Sequence, residues 1–405
     1  MSDVTPAGPV GGGTWAGPAA GGTGVGPAGG VTPAGPVAGV APAGPVGSVI
    51  GARPTLVVVG ATGAVGTVML DLLSTRADVW GEIRLAASER SAGKTLRVRG
   101  DDVAVSALSA EVFEGADVAM FDVPDEVSAV WAPKAVRHGV VAVDNSGAFR
   151  MDPDVPLVVP EINPEQVTNR PRGIIANANC TTLSLIVAAG ALHREFGLLE
   201  MVVASYQAAS GAGQAGVDTL YAQLSKVGGT RSLGQRAGDL RGVVGDFGPF
   251  PAPLVLNVVP WAGSLKGDGW SSEELKIRNE SRKILGLPDL KVSATCVRVP
   301  VVTTHSAAVH AVFATNVSRE EAQRVLASAP GVVLADDPDN GEFPTPADVV
   351  GTDPTWVGRV RCSPDNPRAL DFFVCGDNLR KGAALNTAQI AELVAAELTG
   401  RCSAL

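Results

Sequence analysis

Charged side chains are scarce in this 405-residue chain, at 18% of positions, and their balance is acidic, −9 at neutral pH. No basic stripe exists to neutralise phosphates, so nucleic acid is excluded as a partner. Long apolar runs are missing too: none approaches the roughly 20 residues that a bilayer span needs, and no membrane partner is expected. No Lys or Arg precedes Arg53, which removes the basic start of a secretory signal and makes the expected address cytoplasmic. Five cysteines without a CxxC pair fit a reducing compartment, and neither a disulfide framework nor a metal site is expected. Histidines number only four, so each can be weighed singly.

Glycine and proline are what the chain has in excess, and they crowd at one end. The first 50 residues hold 15 Gly and 8 Pro with one charged side chain (Asp3) and one aromatic (Trp15), and Pro-Ala-Gly-Pro-Val occurs at 6–10, 33–37 and 42–46. Such a stretch cannot bury enough apolar area to offset its ordering entropy. Residues 1–52 are therefore expected to form a disordered extension, idle, a linker or a partner-binding tail. From Thr55 to Leu398 short Val/Ile-rich runs alternate with amphipathic stretches, an α/β pattern long enough for two domains.

Thr55-Leu-Val-Val-Val59 has the β-branched continuity of a strand buried on both faces. It runs into Gly60-Ala-Thr62-Gly63-Ala64-Val65-Gly66 and a helical stretch from Val65 to Thr75. Glycine allows the tight turn and lets backbone approach a pyrophosphate, which helix N-terminal N–H groups bind. The spacing G-x-x-G-x-x-G also fits an ordinary strand-to-helix turn, but its setting at the start of the folded region favours a dinucleotide. The next strand, Ile83 to Ala87, ends in Ser88-Glu89-Arg90-Ser91. A carboxylate at that position favours NAD and a nearby Arg favours NADP. Arg90 and Ser91 point to NADP, and Glu89 is the complication.

Asn179-Cys180-Thr-Thr-Leu reads as a loop whose cysteine opens a buried apolar helix. A thiol there feels the positive end of the helix dipole, which favours the nucleophilic thiolate. The same window also fits a small cysteine in a core helix. Cys296 and Cys375 lie in strand-like runs, Cys362 precedes Ser-Pro, and Cys402 lies in the tail. A nucleophilic thiol needs an acid–base partner titrating near neutrality, the natural task of histidine. His305 follows an apolar strand expected over Val297 to Thr303. His310 alternates like a strand residue, and His138 and His193 sit near helix ends, where structural roles are the ordinary reading.

Five stretches, in order, resemble the aspartate-semialdehyde dehydrogenase family. They are Val143 to Asn163, Asn177-Ala-Asn-Cys180-Thr-Thr, Ser205-Tyr-Gln207-Ala-Ala-Ser-Gly-Ala-Gly213, Arg298-Val-Pro-Val-Val-Thr-Thr-His305-Ser, and Asp377-Asn-Leu-Arg-Lys-Gly-Ala-Ala-Leu-Asn386. The match runs from about residue 55 to 400. It implies an NADP-dependent enzyme that reversibly reduces L-aspartyl-4-phosphate to aspartate semialdehyde and inorganic phosphate. The step belongs to the pathways towards lysine and diaminopimelate, threonine, methionine and isoleucine. The resemblance makes Cys180 the carrier of a thioester, His305 the acid–base residue and Gln207 the group that positions the substrate. Arg298 can grip the α-carboxylate with a two-pronged hydrogen bond. Glu273 is assigned the amino group, and Arg150, Asn179 and Lys276 the phosphate. Glu273 and Lys276 share one helix face, which alone reads as a solvated face. Ser210 and Gly211 leave room for the nicotinamide, and Asn378 lies near its carboxamide.

The implied fold is α/β: a Rossmann-like doubly wound parallel sheet over 53–176, then a mixed α+β catalytic and dimerisation domain over 177–370. A C-terminal segment and helix, 371–405, return to the cofactor domain. A homodimer or homotetramer is implied. One stretch departs from the family: after the strand Val118 to Phe121 many members continue Ser-Ala-Gly-Gly, whereas this chain has Asp122-Val-Pro-Asp125-Glu126-Val-Ser128. Carboxylates thus enter a region expected to face phosphates or ribose, through either a re-shaped loop or an altered cofactor preference. Two other readings stay open. An N-acetyl-glutamyl-phosphate reductase-like enzyme would give Glu273 no ammonium to hold. A catalytically silent paralogue acting as a binding or scaffold protein would be expected to have lost Cys180, Gln207, Arg298 or His305.

Overall fold

The computed structural model describes residues 53–76 and 78–400; the extension expected over 1–52 lies outside them. Strand β1 (Leu56–Val59) buries all four side chains and leads through the glycine turn into α1 (Ala64–Thr75). There follow β2 (Ile83–Ala87), β3 (Thr95–Val98), β4 (Asp101–Ala107), β5 (Val118–Phe121), α2 (Asp125–Arg137), β6 (Val141–Asp144), β7 (Leu157–Val158) and β8 (Ile174–Asn177). They build one sheet in the order β3-β4-β2-β1-β5-β6-β8-β7. From β1 the chain first moves outward through β2 and β4, then returns to β5 on the other side. The crevice between the ends of β1 and β5 is the switch point at which doubly wound sheets hold their ligands.

The sheet is not parallel throughout, as the sequence had suggested: β3 and β4 pair antiparallel at one edge, while the other neighbours run parallel. Only Arg99 and Gly100 join those two strands, at φ 54° and 87°. A two-residue link with both φ values positive closes a hairpin and is far too short for a parallel crossover.

Helix α3 (Cys180–Phe196) is buried over nearly its whole length and stops at Gly197, whose φ of 71° only glycine adopts cheaply. Beyond it come β9 (Leu198–Gln207), α4 (Gly213–Val227), α5 (Asp239–Val244), α6 (Ser272–Leu285), β10 (Lys291–Arg298), β11 (His305–Phe313), α7 (Arg319–Ser328), β12 (Val332–Leu334), α8 (Pro346–Val349), β13 (Thr355–Cys362) and β14 (Ala369–Gly376). The second sheet is mixed, in the order β10-β9-β11-β14-β13-β12. Helices α3, α6 and α7 pack against it. Along β9, Met201, Val203, Ser205 and Gln207 are buried while Val202 and Tyr206 are exposed, so the sheet has a covered face and an open one. After a π-helical turn over Arg380–Ala384, α9 (Leu385–Leu398) shares a core with Leu56, Val58 and Met120 of the first sheet.

One strand boundary differs from the sequence reading. β10 stops at Arg298, and residues 299–304 form no strand. Pro300, with no N–H to give a ladder, lies in the excluded stretch. His305 therefore opens β11 and does not follow a strand end. No helix among the described residues is long and apolar enough to cross a membrane.

Candidate active site

The site forms where one helix N-terminus meets the ends of three strands. Cys180 is the first residue of α3, and Asn179 caps that helix, its Oδ1 accepting the Thr181 and Thr182 N–H groups at 2.9 and 3.4 Å. β9 and β10 run parallel in a register that sets Gln207 opposite Arg298. β11, antiparallel to β9, begins with His305. The Cys180 Sγ and the His305 Nε2 come within 3.4 Å. Gln207 lies beside them, its Nε2 donating to Thr181 Oγ1 at 2.7 Å.

His305 is fixed from two sides. Its Nδ1 accepts the Ala208 N–H at 3.1 Å, so the neutral ring carries its proton on Nε2, facing the sulfur. Thr304, the residue before it, has φ 85°, a left-handed conformation that a β-branched residue holds only under constraint. The constraint is Asn378, whose Oδ1 accepts the Thr304 N–H at 2.8 Å and whose Nδ2 donates to Ser210 Oγ at 2.9 Å. Gly211 has a steric reason to be glycine. A Cβ there would stand 2.5 Å from Arg298 Nη1 and 3.0 Å from His305 Nε2.

The charges do not act as the sequence suggested. Burial pushes the Cys180 thiol above its usual range and the Glu273 carboxylate adds to that, against Arg150, Arg298 and Lys276. The expected drop is thus reversed, because desolvation of a sulfur anion outweighs the pull of the cations. Burial, and then Arg298, hold the His305 imidazole well below its usual value. Thiol and imidazole are both neutral at rest.

Glu273 and Lys276 are not a solvated face. Lys276 Nζ lies 2.7 Å from Glu273 Oε1, and Asn179 Nδ2 donates to Glu273 Oε2 at 2.9 Å. Burial opposes the Glu273 charge, but Lys276 and Asn179 prevail and hold it below the usual carboxylate range. Arg150 is buried and largely engaged: Nε and Nη2 donate to the carbonyls of Asn177 and Asn145 at 2.8 and 2.7 Å, and Nη1 lies 3.3 Å from Glu280. Glu280, which the sequence reading missed, also accepts the Asn179 N–H at 2.7 Å. Its signal was available, since residues 273, 276 and 280 of α6 share one helical face. Trp261 was missed as well. With Phe250, Gly211, Glu273 and Arg298 it lines a cavity of about 550 Å³. Arg150, Lys276 and Glu280 line a separate cleft of about 480 Å³.

At the other sheet, the glycine turn suits an anionic dinucleotide. Gly60 has φ 96°, and a Cβ on it would collide with the Asp122 carbonyl; one on Gly66 would collide with the Gly60 carbonyl. Gly63 and Ala64 are exposed, and α1 has no acidic residue in its first turn and no side-chain cap. The Ala64 and Val65 N–H groups are therefore open to phosphate oxygens, while the Gly66 N–H faces the Asp122 carboxylate. Val65, next in the turn, is half-buried, and Thr62 Oγ1 bonds Ser91 Oγ at 3.2 Å, tying the turn to the end of β2. Arg90 beside it is exposed and makes no ion pair among the described residues. Asp122 is the one dissonant group, a carboxylate at the rim of the turn.

Two sequence families match this chain: the semialdehyde dehydrogenase NAD binding domain over residues 55–170 and the semialdehyde dehydrogenase dimerisation domain over 190–381. The aspartate-semialdehyde dehydrogenase of Streptomyces akiyoshiensis is 47% identical over 345 residues, 84% of this chain and 98% of that protein. The chain belongs to the aspartate-semialdehyde dehydrogenase family. The aspartate-semialdehyde dehydrogenase of Corynebacterium glutamicum is 46% identical, with 82% and 97% of the two chains aligned. Among solved structures, aspartate semialdehyde dehydrogenase II of Vibrio cholerae, complexed with ASA, superposes with a TM-score of 0.79 at 38% identity, over 85% of this chain and 98% of that one. These relatives favour neither an N-acetyl-glutamyl-phosphate reductase nor a silent paralogue. As an aspartate-semialdehyde dehydrogenase family member the chain carries both a dinucleotide-binding and a dimerisation domain, and its Asp122–Ser128 segment lies at the edge of the cofactor crevice.

Proposed function

We propose that the protein reversibly reduces L-aspartyl-4-phosphate to L-aspartate 4-semialdehyde with NADPH, releasing inorganic phosphate, and so serves the synthesis of lysine and diaminopimelate, threonine, methionine and isoleucine. The observation that carries this reading is the 3.4 Å approach of Cys180 Sγ to His305 Nε2 beside Arg298 and Glu273. In the reducing direction the Cys180 thiolate attacks the acyl carbon, phosphate leaves, and a thioester remains on the sulfur. The nicotinamide, when bound, supplies the hydride. His305 presents its Nε2–H first to the sulfur and then to the oxyanion of the tetrahedral adduct, a fixed donor aimed where negative charge grows. Collapse of that adduct returns the aldehyde and the thiolate. The proton given up by the Cys180 thiol leaves with the phosphate, and one proton from solvent restores the resting thiol, so one proton is consumed overall.

The raised thiol gains a use in this scheme. A substrate ammonium against Glu273 screens the carboxylate that disfavours thiolate, so the nucleophile is activated when the substrate arrives. Arg298 holds the α-carboxylate while Gln207 orients the reacting group. Lys276 and Asn179 meet the phosphate, with Arg150 acting chiefly through its field because most of its donors are occupied. Gly60, Thr62, Gly63, Ala64 and Val65 hold the pyrophosphate, Arg90 and Ser91 the 2′-phosphate, and Ser210, Gly211 and Asn378 the nicotinamide. The division at residues 53–176, 177–370 and 371–405, a homodimer or homotetramer, and a reducing cytoplasmic setting suited to a free catalytic thiol complete the reading. Purified protein given phosphate, aspartate semialdehyde and NADP⁺ should show the absorbance of reduced cofactor. A folded protein that gives no signal refutes the activity, and NAD⁺ in place of NADP⁺ tests Arg90.

A further inference from the structure

The end of β5 presses on the glycine turn so closely that Gly60 has no room for a side chain beside the Asp122 carbonyl. The Asp122 side chain continues along the turn. Its Oδ2 lies 3.8 Å from where a Cβ on Gly63 would stand, and its Oδ1 accepts Asn145 Nδ2 at 2.8 Å. The Gly66 N–H faces the same carboxylate. Asp122 thus stands at the N-terminus of α1, the end whose exposed N–H groups and positive dipole would bind a pyrophosphate. An anionic side chain there and an anionic ligand compete for one patch of positive potential, at distances where screening by salt is weak.

The Asn145 amide and the Gly66 N–H are neutral donors to the Asp122 carboxylate, and no cation balances its charge among the described residues. Asp144, at the end of β6, faces it and repels it. Asp144 in turn is held by Ser128 and Ser146, with Arg150 favouring its charge. From α2, Asp125 accepts the Gly147 N–H at 2.7 Å and Glu126 is exposed. No Lys or Arg pairs with Asp122 among the described residues. Burial pushes its carboxyl up to about 6, while Asn145 and Gly66 oppose that and Asp144 adds to it.

We propose that Asp122 sets dinucleotide affinity by its charge: the neutral acid admits a pyrophosphate at the N-terminus of α1, and the carboxylate repels it. This rests on the glycine turn being the pyrophosphate site. The geometry makes Asp122 a specificity and regulatory residue for the cofactor, outside the thiol chemistry. If only the neutral acid bound ligand, affinity would fall about 50-fold from pH 6 to pH 8, as the neutral fraction falls from about one half to about one in a hundred.

The test is NADPH binding to the full chain, followed by cofactor fluorescence at pH 6, 7 and 8, for the unaltered protein and for Asp122→Asn and Asp122→Ser. The ligand's 2′-phosphate titrates in the same window, so each Kd is read as a ratio to that of Asp122→Asn at the same pH. The expected ratio is about two at pH 6 and rises a further roughly 5- to 50-fold by pH 8, with Asp122→Ser behaving like Asp122→Asn. Calorimetry in buffers of different ionisation enthalpy should show proton uptake on binding at pH 7 that is larger for the unaltered protein than for Asp122→Asn. A ratio that stays flat overturns the proposal and leaves the glycine-turn site standing. Absence of binding by all three folded proteins at every pH overturns the glycine-turn site, and the proposal with it.

Discussion

Lys381→Met is the substitution whose consequence follows most directly from the structure. The Lys381 side chain is 2% exposed and that of Glu161 is 9% exposed. Lys381 Nζ lies 2.7 and 2.6 Å from the two Glu161 oxygens and 2.7 and 2.8 Å from Asn386 Oδ1 and Gln389 Oε1. Four acceptors converge on three protons. Met keeps the length of the chain and removes the donors and the charge, which leaves a carboxylate buried without its cation. Breaking a buried pair on one side costs about 3–5 kcal/mol. For a folded unit of about 350 residues that corresponds to a fall in Tm of roughly 4–7 °C. Burial already pulls the Lys381 ammonium below its usual range, with Glu161 opposing. Removing both charges, in Lys381→Met with Glu161→Gln, should therefore recover more than half of the loss. Thermal and urea unfolding of the unaltered protein, both single variants and the double variant provide the cycle. A single variant that loses less than about 1 kcal/mol, or a double variant whose losses simply add, refutes the reasoning. The effect should reach the site, because a Cβ on the next residue, Gly382, would stand only 3.1 Å from Cys180 Cβ.

Other outcomes are expected. Cys180→Ser should lose nearly all turnover while binding NADPH as before; retained turnover would exclude the thioester. Gly211→Ala should lower kcat by about 100-fold, since its methyl group displaces Arg298 and His305, and a change under threefold would show that both side chains can yield. In the oxidising direction, with NADP⁺ and phosphate saturating at every pH, kcat/KM for the aldehyde should rise steadily from pH 6 to pH 9, because a thiol raised above its usual range supplies more thiolate as pH climbs. With His305 held well below its usual value, an inflection near the ordinary imidazole range would contradict this. Asp122, raised from 3.8 to about 6, contributes stability that is complete below about pH 4 and lost as pH rises through about 6. Asp122→Asn should therefore be more stable than the unaltered protein at pH 8, by at most about 3 kcal/mol, with the gap roughly halved at pH 5 and closed below about pH 4 in calorimetric scans.

The legible parts of this protein were those fixed by local chemistry. A β-branched run entering a glycine turn, and a cysteine opening an apolar helix, declare themselves because strand burial and helix ends constrain residue type over a few positions. The β10 boundary was misread because an apolar run looks alike in a strand and in an extended loop, although Pro300 carried the warning. The hairpin at the sheet edge hid in Arg99-Gly100, a pair too short to be anything else. What no local pattern could show was convergence. Glu280 matters because Asn179 and Arg150 reach it from other segments, and Asn378 matters because it holds Thr304 from 74 positions away. The thiol's upward shift likewise follows from burial and from Glu273, both products of the assembled fold. Asp122 was visible as a departure, but its direction, into the rim of the turn, was not.

The alternation along β9 couples two surfaces that would otherwise be independent. Tyr206 looks out from the open side of the second sheet and Gln207 looks in, one peptide bond apart. A second subunit seated on that open side would press on the backbone that aims the glutamine amide. Dilution, or a charge introduced at Val202, would then register as a change in turnover before any loss of secondary structure.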